Sequence, residues 1–350
     1  MTAGTSLTSS YITRLQAKGY RFLYIEDDFS AGIEPDDVLD EMTQARALAT
    51  LQDGLMDLAE KRPLDSSRVT GVVEEIADSV NSRKSVAVGI ASIRNLDEYT
   101  FVHSLNVCVL SLIIGAENSL NRYDLIDLGV GALLHDVGKV VVPVEVLNKP
   151  GQLTNEEMEI VKIHATEGFE ILRVQPGISL LSAHVAYQHH ERMNGLGYPR
   201  GLQGSEIHRF ARMTSVTDIM DALTAERPYR DALPPHRAGP YLLSLAGDHL
   251  DPGYVRSLLA RLAMFPSGTP VRLSTGQVGI VSRQSYSDPA RPIVIVLTDD
   301  RLGPVRPYEV EMDRRPDLDI VEVLHDLPEL TANGGGHAGP GDTAASSPRG

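Results

Sequence analysis

His135 and Asp136 stand side by side at the end of an apolar run, in Leu133-Leu134-His135-Asp136-Val137-Gly138-Lys139. A neighbouring imidazole and carboxylate can reach one metal ion, and both are good ligands for zinc, manganese or iron. Lys139, three residues beyond Asp136, is placed to meet an anion held by that metal. The same letters would also serve a helix C-terminus with a charged tail and a glycine cap, so the surrounding pattern has to decide.

Five of the eleven histidines, His103, His135, His164, His189 and His190, fall in four consecutive apolar segments of helical character. An imidazole without a partner in such a setting is costly. Any one of them reads as a hydrogen-bonded core residue, but five together with Asp136 and Asp218 read as a ligand set. Seven nitrogen and oxygen donors exceed the needs of one tetrahedral ion. They suit two octahedral ions sharing a carboxylate, and Asp136, flanked by donors from every segment, is the natural bridge. With no thiolate in the set, iron or manganese fits better than structural zinc. His184, five residues before His189, reads as packing or as a support behind the ligands. Asp221, three residues after Asp218, reads as a structural residue, with orienting a ligand as the alternative. Gly195 and Gly197, ahead of Tyr198 and Pro199, read as a tight loop needing positive φ, placed to wall the site.

The segments that must carry these residues are mainly helical. A short helix is expected over 9–16 and a strand over 22–25. Apolar residues spaced by three and four predict helices over 36–60 and 63–84, the second serving as a connector or a dimerisation helix. From 90 to 264 helix follows helix: 99–116 with His103, 124–137 with the His-Asp pair, 154–172 with His164, 178–191 with His189-His190, and 210–224 with Asp218. Thr154 and Glu157 spell a capping box. Beyond Phe265-Pro266, strands are expected at 270–273, 277–283, 292–297, 308–312 and 320–324. The last residues are rich in Gly, Ala, Ser and Pro and predict a disordered tail. The expected layout is a small N-terminal α/β module at 1–60, incomplete at its start, a helical connector at 61–96, a helical bundle at 97–264, a β-rich appendage at 265–326 and a tail at 327–350.

A formal charge of −15 over 350 residues argues against duplex nucleic acid as a partner. A small anion needs only a local positive patch, which bound metal with a few Lys and Arg side chains supplies. The apolar run 107–116 is too short to span a bilayer. No basic and apolar leader follows Met1, and the single cysteine, Cys108, has no partner in the chain. A cytoplasmic protein without disulfides is expected.

Residues 97–233 resemble the HD-GYP family, a branch of the HD metal-dependent phosphohydrolases. The resemblance is carried by Asp97-Glu98-Tyr99-Thr100 leading to His103, by His135-Asp136-Val137-Gly138-Lys139, and by His164-Ala165-Thr166-Glu167-Gly168. It continues through His189-His190-Glu191-Arg192, Gly197-Tyr198-Pro199, Asp218-Ile219-Met220-Asp221-Ala222-Leu223-Thr224 and Arg227-Pro228-Tyr229-Arg230. It implies an HD-type helical bundle around two or three metals and a phosphodiesterase that opens cyclic di-GMP to pGpG, often onward to GMP. It implies metal ligation by His103, His135, Asp136, His164, His189, His190 and Asp218, with Asp136 and Lys139 at the reacting phosphate. Arg227 and Arg230 match the family's substrate-binding basic pair, and Gly197, Tyr198 and Pro199 its substrate-side loop. Tyr99 stands where members with a third metal carry glutamate, so two divalent ions are expected. Met193 and Asn194 depart from a common aromatic residue and a frequent Asp. The N-terminal piece is similar to the latter half of a module that precedes the bundle in other members.

The implied chemistry is in-line hydrolysis by water activated at the metals, with no protein nucleophile. Two rival readings remain: a protein that binds cyclic di-GMP, or a diguanylate cyclase through the Gly197–Pro199 loop, with little catalysis; and an HD hydrolase acting on another cyclic dinucleotide or phosphoester. Replacing Asp136 by Ala is expected to abolish turnover and to lower the metal bound per chain, measured by elemental analysis beside an activity assay. Full activity in the metal-analysed variant refutes the bridging role.

Overall fold

The computed structural model describes residues 8–17, 30, 32–33, 38–82, 99–225, 232–285, 287–325 and 327. The strand expected at 22–25, Arg227, Arg230 and nearly all of the tail lie outside them. The N-terminal helices are α1 (Ser9–Ala17), α2 (Glu41–Ala59) and α3 (Ser66–Ser82). Helices α4 (Tyr99–Glu117), α5 (Arg122–Leu133), α6 (Val144–Leu147), α7 (Asn155–Leu172), α8 (Leu180–Gln188) and α9 (Arg209–Thr224) follow. The helical part closes with α10 (Pro235–Ser244) and α11 (Pro252–Leu259).

Helix α2 begins five residues later than its periodicity predicts, because the Asp40 side chain caps it by accepting from the Thr43 amide at 2.8 Å. Thr154 and Glu157 form the expected capping box of α7. One apolar core joins α2 to α5 and α8 to α11, with Leu172 of α7. Helix α4 lies at its centre and buries Leu105, Leu112, Ile113 and Ile114. Where α4 meets α9, a buried hydroxyl pair, Ser111 and Thr217 at 2.8 Å, satisfies the polar atoms of the contact.

Two helices end earlier than the sequence predicts, and both endings place ligands. Helix α5 stops at Leu133 rather than 137, and the chain tightens into a 3-10 turn over Val137–Val141. The Val137 amide donates to Leu134 O at 3.0 Å and the Lys139 amide to Asp136 O at 2.9 Å. Helix α8 likewise stops at Gln188 rather than 191, and the Glu191 amide donates to Gln188 O. The His-Asp and His-His pairs therefore sit on turns. Adjacent residues of a regular helix diverge by about 100°, and the tightened backbone lets both members of each pair face one centre.

The C-terminal part is an antiparallel sheet of β1 (Pro270–Leu273), β2 (Val278–Arg283), β3 (Ile293–Thr298), β4 (Pro304–Glu311) and β5 (Ile320–Val323), in spatial order β4-β3-β2-β1-β5. Pairings include Val271 with Gly279, Ile280 with Ile295, Val294 with Val310, and Val271 with Val323. The sheet has its own core around Val271, Val281, Val294, Val296 and Met312. The expected fold class, mainly helical with a small β appendage, is the one observed.

Gly138 decides how the His-Asp turn meets α7. A Cβ there would lie 2.0 Å from His164 O and 2.5 Å from Gly168 N, both backbone atoms that cannot step aside. Gly138→Ala is expected to destabilise the fold by about 1–3 kcal/mol through overpacking, read from denaturant unfolding. An unchanged midpoint would mean that the turn does not rest on α7.

Candidate metal centre

Helix α4 presents His103, the turn after α5 presents His135 and Asp136, and α7 presents His164. The turn after α8 presents His189 and His190, and α9 presents Asp218. All seven sequence-predicted ligands come together. Donor atoms of Asp136, His164, His189 and His190 lie within 4.8 Å of one another, as do those of His103, His135 and Asp136. Asp136 belongs to both groups. Its Oδ2 lies 3.3 Å from His135 Nε2 and 3.8 Å from His103 Nε2. Its Oδ1 lies 3.5 Å from His164 Nε2 and 3.9 Å from His189 Nε2. Asp218 extends the first group, its Oδ1 being 3.3 Å from His103 Nε2.

The far side of four imidazoles is tied down. His135 Nδ1 donates to Ala132 O at 2.7 Å, His164 Nδ1 to Val161 O at 2.7 Å, and His189 Nδ1 to Ala186 O at 2.9 Å. His103 Nδ1 pairs with Asp221 Oδ2 at 2.7 Å. In the three rings bonded to carbonyls, a proton held on Nδ1 leaves the Nε2 lone pair of a neutral imidazole aimed inward. His164 Nε2 and His189 Nε2 then face each other at 3.4 Å, and His135 Nε2 is buried without any hydrogen bond. Lone pairs packed in this way want a cation between them. The donor set of nitrogen and oxygen, with no sulfur, suits a divalent ion of borderline or hard character.

The electrostatics agree. Burial pulls His189 well below the usual imidazole range, lowers His164 and pushes His190 down to about 4, keeping these rings neutral. Burial opposes ionising Asp136, yet the Lys139 ammonium and the ring of His135 outweigh it and hold the carboxyl well below its ordinary value. Burial likewise opposes charge on Asp218, and its His103 partner prevails. Burial disfavours charging His103, but Asp218 and Asp221 raise it well above the imidazole norm. A carboxylate pair around one ring marks a place where positive charge is wanted.

The HD domain family model matches residues 74–253. The chain belongs to the HD-domain family. The Gly197-Tyr198-Pro199 loop after His189-His190-Glu191 places this HD domain in the HD-GYP branch. A cyclic di-GMP phosphodiesterase of Pseudomonas aeruginosa is 32% identical over 278 residues, 79% of this chain and 67% of that protein. One of Thermotoga maritima is 40% identical over 164 residues, 47% of this chain and 45% of that protein. A 3'3'-cGAMP-specific phosphodiesterase of Vibrio cholerae is 38% identical over 169 residues, 48% of this chain and 36% of that protein. The chain thus spans two thirds of the first relative and less than half of the other two. The HDG"Y"P protein Bd1817 from Bdellovibrio bacteriovorus shares the fold at a TM-score of 0.50 and 21% identity, over 71% of this chain and 78% of that one.

Other predicted residues of this HD domain fall in place around the seven. Lys139 pairs with Asp136 at the rim, its side chain one-third exposed. Tyr198 lays its ring on His190, centroids 4.7 Å apart and planes 28° apart, with the Lys162 ammonium 5.5 Å from the ring centroid. The Tyr198–Pro199 peptide is cis. Gly195 has the expected positive φ of 79°, but Gly197 does not have one. Gly197 is required for close approach instead: a Cβ would meet Arg192 N at 2.4 Å and Glu191 Cα at 2.5 Å. His184 packs on Phe169, as expected of a packing residue. Arg227 and Arg230 lie outside the described residues, as does the side chain of Tyr99.

Of the two readings of Asp221, the structure takes the orienting one over the merely structural one: 1% exposed, Asp221 holds His103 through Oδ2 and accepts from Asn106 Nδ2 through Oδ1 at 2.8 Å. The i, i+3 spacings of Asp218 to Asp221 and His103 to Asn106 were the available signal, since such residues share a helix face. Asn194 also finds its reason. Its Oδ1 accepts from the Leu196 amide at 2.9 Å while its Nδ2 donates to Asp248 Oδ1 at 3.1 Å. An Asp at 194 would lose that donor and set two carboxylates together. Asp221→Asn is expected to weaken metal binding by about 10–100-fold, measured by titration of the metal-free protein. Unaltered affinity would mean that His103 is oriented by packing alone.

Proposed function

We propose that this HD-GYP protein is a metal-dependent phosphodiesterase that hydrolyses cyclic di-GMP to pGpG, and onward to GMP where the linear product rebinds. The observation that carries the reading is the position of Asp136, one oxygen toward each of two histidine groups. The cyclic di-GMP phosphodiesterases among its relatives support the substrate. His103, His135, Asp136 and Asp218 would hold one divalent cation, and Asp136, His164, His189 and His190 the other, with iron or manganese favoured by the donors. Bound there, divalent ions supply Lewis acidity toward a phosphoryl oxygen and lower the pKa of water.

The chain's own side chains do the rest. Lys139 offers its ammonium to a non-bridging phosphate oxygen at the rim, offsetting charge that grows in the transition state. Asp221 and the carbonyls of Ala132, Val161 and Ala186 keep four imidazoles in one tautomer and one orientation. Gly197, Tyr198 and Pro199 form the wall against which the dinucleotide lies, and burial keeps the Tyr198 phenol protonated. Arg227 and Arg230 are proposed to bind the second phosphate. We further propose cytoplasmic action, the domain layout given above, and contact with diguanylate cyclase domains or a second copy of the chain. Leu196, 76% exposed beside the loop, offers the former an apolar contact. No described helix is long and apolar enough to cross a membrane.

The similarity to a 3'3'-cGAMP-specific enzyme makes a hybrid cyclic dinucleotide the competing substrate. Anaerobically purified protein loaded with Fe(II) or Mn(II) is expected to convert cyclic di-GMP to pGpG, followed by chromatography, and to favour it over 3'3'-cGAMP. Chelation should stop the reaction and re-addition of metal restore it. A preference for 3'3'-cGAMP would move the assignment to that substrate, and turnover that survives metal removal would overturn the metal centre.

A further inference from the structure

Glu191 follows the His-His pair and has no part in the ligand set, yet it is 3% exposed. A buried carboxylate is costly unless its oxygens are occupied. Both are. Oε1 accepts from the Arg200 amide at 2.8 Å and Oε2 from the Leu202 amide at 2.9 Å. These two amides lie just past the Gly195–Pro199 segment, so the carboxylate bridges the loop from its entry to its exit. The clamp acts on a closely folded segment. The Tyr198 amide donates to His190 O at 3.2 Å, and the backbone at Gly197 is pressed against Glu191 and Arg192. Tyr198 thereby lies flat on His190, with Lys162 over its ring. Charge-assisted bonds to two amides are stronger than neutral ones. Asn194 ties the entry of the loop to Asp248, and Glu191 is the side chain that ties its exit back to the His-His turn.

We propose that Glu191 is a positioning residue: it pins the Gly-Tyr-Pro loop closed over His190 and so fixes the wall on which substrate rests, without touching metal or substrate. The substrate half rests on the function proposed above, while the clamp itself does not. Glu191→Ala removes both acceptors. Glu191→Gln keeps one and turns an N–H group toward the other amide, so its effect should fall between.

The test joins hydrogen exchange with kinetics on the metal-loaded full chain. In Glu191→Ala, peptides covering 191–203 should exchange about tenfold faster or more, as expected on losing two charge-assisted bonds, while α7 and α9 keep their protection. Metal per chain should stay at the wild-type value. KM for cyclic di-GMP should rise about tenfold, and turnover of bis(p-nitrophenyl) phosphate, which is too small to need the wall, should hold within about threefold, the spread of single-contact effects. Glu191→Gln should recover part of both losses. Unchanged exchange over 191–203 overturns the clamp. Metal loss, or deprotection spreading into α7 and α9, overturns it in favour of a role in the core. A wild-type protein inert toward cyclic di-GMP would sink the function reading, while the exchange result would still decide the clamp.

Discussion

A single buried carboxylate organises this molecule. Asp136 is buried with imidazole nitrogens on both of its oxygens, and the rings there have their far nitrogens tied to the protein. Concentrating buried lone pairs is unfavourable without positive charge to meet them. The fold accepts that arrangement because large apolar surfaces of α4, α5, α8 and α9 are buried around it. Stability comes from the oily helices, and the polar centre is carried at their expense, an arrangement common at functional sites.

Position is controlled by endings of helices more than by helices. The His-Asp and His-His pairs lie where α5 and α8 stop, on turns that bring neighbouring side chains to one side. Two glycine contacts then fix how those turns sit. Gly138 lets the first rest on the backbone of α7 beside His164, and Gly197 lets the substrate-side loop fold back on Glu191. A second layer of hydrogen bonds, from Asp221, Asn106 and backbone carbonyls, locks the rings themselves. Such outer contacts usually set metal affinity as firmly as the ligands do. Asn194 and Asp248 form a further link, tying the loop to the turn between α10 and α11. The departure from the common Asp at that position is matched by the acid it faces.

Much of this was readable in the chain before any coordinates. The apolar periodicity marked the helices, the capping box of Thr154 and Glu157 marked the start of α7, and alternating strands marked the C-terminal sheet. All seven ligand candidates were legible, because each put a costly polar group beside an apolar run and their order matched a known pattern. Helix ends were less legible. The hydrophobic pattern runs on through 137 and 191, whereas the backbone leaves the helix at Leu133 and Gln188 to satisfy the local hydrogen bonds of its turns. For Asp221 the helical spacing offered an orienting role without deciding it, and Glu191 was read without its role, since a carboxylate that accepts from a returning loop leaves no local signature.

By itself, the sequence determined the chemistry available here: which residues can bind metal, that no thiolate joins them, and that the carriers are helices with a β appendage. Only the tertiary structure decided which oxygen of Asp136 faces which imidazoles, that Asp221 rather than solvent holds His103, and that Gly197 answers to close approach instead of positive φ. The physical reason is range. Composition and periodicity report contacts within a turn or two of the chain, while a ligand sphere is built from groups more than a hundred residues apart, such as His103 and Asp221, brought together only when the core between them packs.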